Sequence, residues 1–167
     1  LVSFSERVVG GGSTASFLLV EAGVDGALET AACGPLAGDD VGMAIDSAVY
    51  SSASSTSTLA MNGGAALADG TYRLLVCGTV TDLGGNALDD DDDGDGNDDF
   101  QRNFVVDTVR PTNPTAISSL THPYADWSPA TSFTVQWSGA TDDLSGLAGY
   151  SVVIDGNPSG SADTSIE

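Results

Sequence analysis

An aspartate-rich run offers the clearest chemistry in this sequence. Residues 89–99 read Asp-Asp-Asp-Asp-Asp-Gly-Asp-Gly-Asn-Asp-Asp, with eight carboxylates among eleven residues. Oxygen donors at alternate positions, followed by a glycine that permits a sharp turn, are what a calcium loop needs, because hard ligands must converge on one ion. The spacing predicts a calcium site with six candidate ligands: Asp89, Asp91, Asp93, Asp95, Asn97 and Asp99.

The register and the type of this site stay open. A second register passes through Asp90 and Asp92, and a solvated acidic turn that binds no specific ion is the alternative to both. An EF-hand loop starting at Asp89 requires a bidentate Glu at its twelfth position, where this sequence has Phe100. We therefore expect a calcium-binding β-hairpin loop with a weak affinity of about 0.1 to 1 mM.

Composition excludes several classes of partner. The 167 residues carry a formal net charge of −20 and contain no lysine, so nucleic acid is not an expected partner. No apolar run approaches the roughly 20 residues that span a bilayer, and membrane insertion is not expected. An apolar content of 41 % is that of a folded chain, and the abundance of Gly, Ser, Thr and Val favours strands and turns over long helices.

The two cysteines, Cys33 and Cys77, predict a disulfide. Two cysteines and one histidine at these spacings are too few soft ligands for a zinc site, and two buried free thiols are the alternative. A disulfide indicates an oxidising compartment, such as the cell exterior.

Motifs for catalysis are weak, and we do not expect an enzyme. His122 is the only histidine, and the sequence has neither a G-x-S-x-G elbow nor H-E-x-x-H. The glycines at 10–12 lack the lysine of a phosphate-binding loop and predict a flexible connection. Tyr124 and Trp127 could form a sugar-stacking face or pack between domains, whereas Trp137 alternates with apolar residues and is predicted to be core.

Short alternating runs punctuated by turn residues predict an all-β fold. The predicted strands are residues 2–5, 15–21, 42–50, 56–61, 71–78, 100–107, 115–120, 131–137 and 148–155. In the segment 71–78, Tyr72, Leu74 and Val76 alternate with Leu75 and Cys77, so the two sets lie on opposite faces. If the first set fills the core, Leu75 and Cys77 need covering from outside, and a loop tethered through Cys33 is a candidate for that cover.

A proline-containing linker at 107–114 predicts a domain boundary, with domains at 1–109 and 110–167. Beyond it only about three strands are predicted, whereas a β-sandwich needs about seven. The start at Leu1 and the short second domain predict a segment of a longer protein. A second calcium site involving Asp107, Asp142 and Asp143 is conceivable, but ordinary turn aspartates explain these residues better.

Several motifs give the first domain a family resemblance. They are Val2-Ser-Phe-Ser-Glu6, Ser16-Phe-Leu-Leu-Val20, Leu67-Ala-Asp-Gly-Thr-Tyr-Arg-Leu-Leu-Val76, Thr79-Val-Thr-Asp-Leu-Gly-Gly-Asn-Ala-Leu88 and Phe104-Val-Val-Asp-Thr108. Together they resemble a bacterial Ig-like domain without its usual opening strand. The second domain is similar to another Ig-like or fibronectin type III-like module, through Phe133-Thr-Val-Gln-Trp137 and Gly149-Tyr-Ser-Val-Val-Ile-Asp155.

The resemblance implies tandem Ig-like β-sandwiches, the second incomplete, in an extracellular or cell-surface protein. The implied role is non-catalytic and structural: a stalk, an adhesin or a filament building block, with neighbouring Ig-like domains or identical subunits as partners. The alternative function is an accessory module of a secreted hydrolase, with carbohydrate as its ligand. Fold likeness alone does not decide between these roles.

Overall fold

A computed structural model describes residues 1–89, 96, 98–124 and 126–153. The chain divides into two compact units, Leu1–Asp107 and Thr108–Glu167. The described residues are almost entirely β, with antiparallel pairing throughout and only two single-turn 3₁₀ helices, Thr14–Ser16 and Asn62–Gly64. The predicted all-β class is confirmed.

The described residues of the first unit form nine strands. They are β1 (Val2–Ser3), β2 (Val8–Val9), β3 (Phe17–Glu21), β4 (Val41–Met43), β5 (Ile45–Ser51), β6 (Thr56–Met61), β7 (Gly70–Val76), β8 (Thr81–Asp82) and β9 (Phe100–Val106). One sheet has the order β1-β6-β5 and a second has the order β4-β3-β7-β9, while β2 and β8 form a separate pair. Seven of these strands, all except β2 and β8, lie within or next to segments that alternation predicts, because period-two patterning is a local signal.

One predicted strand is divided between the two sheets. The sequence predicts one strand over residues 42–50, yet β4 pairs with β3 and β5 pairs with β6. The chain changes sheets at Ala44, whose carbonyl accepts the Asn62 N–H at 3.0 Å. The pairing register shifts between Ile45 and Ser47, and bulges of this kind let a strand turn a corner between packed sheets.

The core of the first unit lies between these two sheets. Phe17 and Val76 of the four-stranded sheet are buried together with Val80, and partly buried apolar residues of the other sheet pack against them, including Val2 and Leu59. Tyr72 is fully buried and stacks on Phe104 with 5.5 Å between ring centroids. The predicted core-facing set of β7 is therefore confirmed.

The glycine segment at 10–12 is packed, which corrects the expectation of a flexible connection. Gly11 is buried, and a Cβ added there would lie 2.9 Å from the Tyr50 ring. The Gly11 carbonyl accepts the Ser57 hydroxyl at 2.6 Å, and Gly10 has a φ of +92° that favours glycine. These glycines serve close packing across the core.

The second unit contains one antiparallel strand pair in its described part. Strand β10 (Ala116–Ser119) pairs with β11 (Val135–Ser138), with Ile117 opposite Trp137. The prediction at 131–137 extended too far toward the N-terminus. Residues 148–153 form no strand, and the rest of that predicted strand lies outside the described residues.

Candidate functional site

The two ends of the acidic run lie side by side in the first unit. The Leu88 N–H donates to the Val80 carbonyl at 2.9 Å, and the Asp98 N–H donates to the Leu88 carbonyl at 3.0 Å. Between them, Gly96 lies near Ala87 with a φ of +40°. The two ends of the run therefore meet at Leu88, but the flanking strands β8 (Thr81–Asp82) and β9 (Phe100–Val106) pair with β2 and β7, so the described residues do not form the predicted β-hairpin.

Of the six predicted calcium ligands, the structure describes Asp89 and Asp99. The other four, Asp91, Asp93, Asp95 and Asn97, lie outside the described residues. Calcium binding by the run stays a prediction. Asp89 lies half-buried at the start of the run and Asp99 half-buried at its end.

Asp99 anchors the loop that carries Cys33. One carboxylate oxygen accepts the Gly78 N–H at 2.6 Å, and the other accepts the Cys33 N–H. Hydrogen bonds from backbone N–H groups to a carboxylate are charge-assisted and stronger than neutral ones. The sequence predicts Asp99 as a calcium ligand, whereas in the structure both of its carboxylate oxygens accept backbone hydrogen bonds beside the disulfide.

The predicted disulfide is confirmed. Cys33 and Cys77 are bonded, with 5.6 Å between their Cα atoms. Their sulfurs lie close to the Asp99 carboxylate, but disulfide sulfurs are not thiolates and cannot serve as zinc ligands. Cys33 and Cys77 therefore form a structural cross-link, and Asp99 fixes the backbone next to it through a hydrogen bond from the Cys33 N–H.

Residues 22–40, which we call the covering loop, close the outer face of β7. Leu75 on that face is fully buried, and Cys77 is 6 % exposed. Arg73, also on that face, donates from Nη1 to the Thr30 carbonyl at 2.7 Å. The Cys33–Cys77 disulfide and the Arg73 guanidinium thus hold the covering loop on either side of Leu75. The predicted cover over the outer face of β7, tethered through Cys33, is present.

A buried aspartate organises the covering loop from within. Asp40 is 7 % exposed, and its Oδ2 accepts the N–H groups of Glu29 at 3.0 Å and Thr30 at 2.7 Å. Its Oδ1 has no hydrogen-bond partner in the described part of the chain. Burial by itself would raise the pKa of Asp40, but hydrogen bonds from Thr30 and Glu29 and the nearby Arg73 charge outweigh it, so the pKa is lowered.

Three exposed carboxylates in the covering loop form a second acidic cluster. Oxygens of Asp25, Glu29 and Asp39 all lie within 4.8 Å of one another. Asp39 accepts the Val24 N–H at 2.7 Å, and Glu29 accepts the Asp39 N–H at 3.2 Å, so hydrogen bonds account for the arrangement without an ion. Sequence reasoning missed this cluster because its members are not regularly spaced.

In the second unit, Asp142 is a turn aspartate, as expected. Its Oδ1 accepts the N–H groups of Ser145 at 3.1 Å and Gly146 at 2.9 Å. Such a local pattern is what an aspartate in a turn ordinarily makes.

The aromatic residues of the second unit differ from expectation at one position. Trp137 is 36 % exposed and meets Tyr150 edge to face, so it is not fully buried as predicted. Tyr124 and Trp127 are 100 % and 86 % exposed.

The chain matches no family model, no curated protein and no solved structure. No helix in the described ranges is long and apolar enough to cross a membrane.

Proposed function

We propose that this chain is a calcium-stabilised, non-catalytic structural module of an extracellular or cell-surface protein, with an Ig-like first unit. The observation that carries the proposal is the strand order. Ig constant-type domains place strands A-B-E-D in one sheet and C-F-G in the other. Reading β1, β3, β5, β6, β7 and β9 as B, C, D, E, F and G gives B-E-D and C-F-G in this chain.

The remaining strand of these two sheets fits the same scheme. Strand β4 lies beside β3, at the position where variable-type domains add a C′ strand next to C. Chain order and spatial order agree for all seven strands. Such modules act by presenting and spacing surfaces, which supports a stalk, adhesin or filament building block with neighbouring Ig-like domains or identical subunits as partners.

The disulfide supports the extracellular location but differs from the bridge of antibody domains. Antibody domains join strands B and F across the two sheets. Here Cys77 follows strand β7, and Cys33 belongs to the covering loop between β3 and β4. The bridge therefore fastens a loop to the outside of one sheet, and it persists only where the environment is oxidising.

Calcium is the proposed ligand of the acidic run, which lies between β8 and β9. A net charge of −20 without any lysine leaves the eight carboxylates of the run little cationic compensation from the chain. Binding to the folded state alone would add stability of RT ln(1 + [L]/Kd), about 1.4 kcal/mol at ten times Kd. The closed loop at Leu88 and Asp98 supports convergence of these side chains.

A thermal melt in millimolar calcium against EGTA tests this proposal. We expect a calcium-dependent rise in Tm that magnesium does not reproduce, since magnesium dehydrates reluctantly and demands stricter geometry. The triple variant Asp91→Asn/Asp93→Asn/Asp95→Asn should lose the rise. The matched variant Asp25→Asn/Glu29→Gln/Asp39→Asn neutralises the covering-loop cluster and should keep it. An unchanged Tm in the unmodified protein would refute calcium binding.

The exposed Tyr124 and Trp127 favour a second candidate function, an accessory carbohydrate-binding module of a secreted hydrolase. Flat aromatic side chains of this kind offer the apolar surface on which sugar rings stack. Glycan binding that is lost in Tyr124→Ala and Trp127→Ala would support it. Equal binding by the variants and the unmodified protein would remove it.

A further inference from the structure

The outer edge of β5 in the first unit carries no partner strand among the described residues. The three-stranded sheet has the order β1-β6-β5, so β6 pairs with one side of β5 and no described strand pairs with the other. In the strand assignment above, β5 is strand D, which ends the A-B-E-D sheet on the side away from strand A. The edge of β5 is therefore an outer edge in a complete domain of this class.

Backbone hydrogen-bonding groups of Ala48 and Tyr50 point toward this edge. The Phe4 N–H donates to the Ser55 carbonyl at 2.9 Å, which fixes the residues of β6 that bond to β1. Antiparallel strands bond through alternate residues, so the residues of β6 on either side of those bond to β5, and the register there makes Val49 a bonded partner of β6. The N–H and C=O groups of Ala48 and Tyr50 therefore point away from β6.

The edge lacks the features that keep exposed strands from pairing with another chain. Native edge strands commonly avoid such pairing through charged side chains or proline. Residues 47–68 contain no charged residue, although the chain has 24 acids, and β5 contains no proline. Val49, in the middle of the uncharged part of the strand, is 66 % exposed. Two copies of this acidic chain can therefore approach each other here with little local repulsion.

Charges of opposite sign lie at the two ends of β5. The exposed Asp46 lies at its start, and beyond its end the Arg7 Nε donates to the Ser52 carbonyl at 3.1 Å. A two-fold axis at Val49 would set two β5 strands antiparallel, with Asp46 of each copy opposite Ser52 of the other. Each Arg7 would then meet an Asp46, so this register is complementary in charge at both ends.

We propose that two copies of this chain associate through their β5 edges about a two-fold axis, which joins their three-stranded sheets into one continuous sheet. Ala48 of each copy exchanges backbone hydrogen bonds with Tyr50 of the other, and an Asp46–Arg7 ion pair forms at each end. A two-fold contact is self-complementary, because the same surface serves both copies. The dimer specifies identical subunits as the partner of the proposed structural module and rests on that function in this respect, but it does not require calcium.

Sedimentation equilibrium of the full chain, in EGTA and in calcium, tests the dimer separately from metal binding. We expect a monomer–dimer equilibrium in both buffers, with slower hydrogen exchange of the Ala48 amide as the protein concentration rises. A monomer at every concentration up to about 1 mM would overturn the dimer, even where calcium still raises Tm. A dimer that forms only in calcium would assign the contact to the metal and overturn it too. A dimer in EGTA without any calcium effect on Tm would support the dimer and remove calcium binding.

A lysine substitution locates the contact on β5. Val49→Lys sets like charges directly opposite each other at the two-fold axis and should abolish the dimer. Val105→Lys adds the same charge at a 46 % exposed valine of the other sheet and should leave the dimer unchanged. Near-ultraviolet circular dichroism checks that both variants fold. A dimer that persists in folded Val49→Lys would place the contact elsewhere and overturn the proposal.

Exchanging the charges at the two ends tests the register. Arg7→Asp and Asp46→Arg should each weaken the dimer about tenfold, because each replaces two ion pairs with two like-charge contacts. The double variant Arg7→Asp/Asp46→Arg restores both pairs in reverse and should recover most of the affinity, which damage to the fold would not do. If a single variant does not fold, Val49→Lys carries the test. Folded single variants that dimerise normally, or a double variant without recovery, would refute this register.

Discussion

Removing the Cys33–Cys77 cross-link should destabilise the first unit strongly. The two cysteines are 44 residues apart in sequence. In the chain-entropy model, a closed loop of that length restricts the unfolded chain by about 4 kcal/mol at 25 °C. Measured values more often fall at about 2 to 4 kcal/mol, because native strain and residual unfolded structure reduce the effect.

The expected loss corresponds to a large change in melting temperature. For a domain near 100 residues, each kcal/mol shifts Tm by about 4 to 8 °C, so the drop should be about 10 to 30 °C. Calorimetric melts of the unmodified protein, with and without reductant, and of Cys33→Ala/Cys77→Ala measure it. Reductant should leave the double variant unchanged, which controls for effects on anything but the disulfide.

The same variant should show where the stability is lost. Without the cross-link, the covering loop keeps its hydrogen bonds with Arg73 and Asp99 but loses its covalent tie to Cys77, so amide exchange should accelerate in residues 22–40 and around Leu75. Amide hydrogen exchange in the paired strands β5 and β6 should change less. A drop in Tm below about 5 °C would refute the loop-closure reasoning, as would equal acceleration in both regions.

Three further substitutions test individual side chains. Asp99→Asn loses charge-assisted bonds and should cost about 1.5 to 3 kcal/mol in urea unfolding, whereas Glu6→Gln, a control at an exposed carboxylate, should cost less than about 0.5 kcal/mol. The folded-state pKa of Asp40 lies below its ordinary value of 3.8, so this carboxylate stabilises the fold fully above pH 3.8, and the stabilisation is lost as pH falls through the folded-state pKa. Asp40→Asn should therefore flatten the dependence of unfolding on pH below about pH 4. Burial, together with the nearby Glu21 carboxylate, raises the pKa of Tyr72 above its ordinary value of 10.0. The neutral phenol therefore stabilises the fold below pH 10.0, and this stabilisation is lost as pH rises through the folded-state pKa. Tyr72→Phe removes the titrating hydroxyl and should resist alkaline unfolding better. Parallel acid curves for Asp40→Asn, or parallel alkaline curves for Tyr72→Phe, would contradict the corresponding assignment.

The sequence by itself determined the features that depend on short-range pattern and on composition. Alternation located most strands of the first unit and the two faces of β7, because side chains of a strand point to opposite sides residue by residue. The cysteine count predicted the disulfide, whereas cation binding, which follows from the absence of lysine and the net charge of −20, stays a prediction.

Tertiary structure decided what depends on partners distant in sequence. Alternation through residues 42–50 is the same whichever sheet accepts the strand, so only pairing with β3 and β6 revealed the change of sheet at Ala44. Asp99 is one aspartate among eight in the run, and its hydrogen bond from the Cys33 N–H joins residues that are 66 positions apart in sequence. In the sequence, nothing distinguishes Asp40 from other loop aspartates. Only the structure shows that it is buried and accepts the N–H groups of Glu29 and Thr30. Hydrogen-bond partners and burial are set by packing across the whole unit, and no local pattern encodes them.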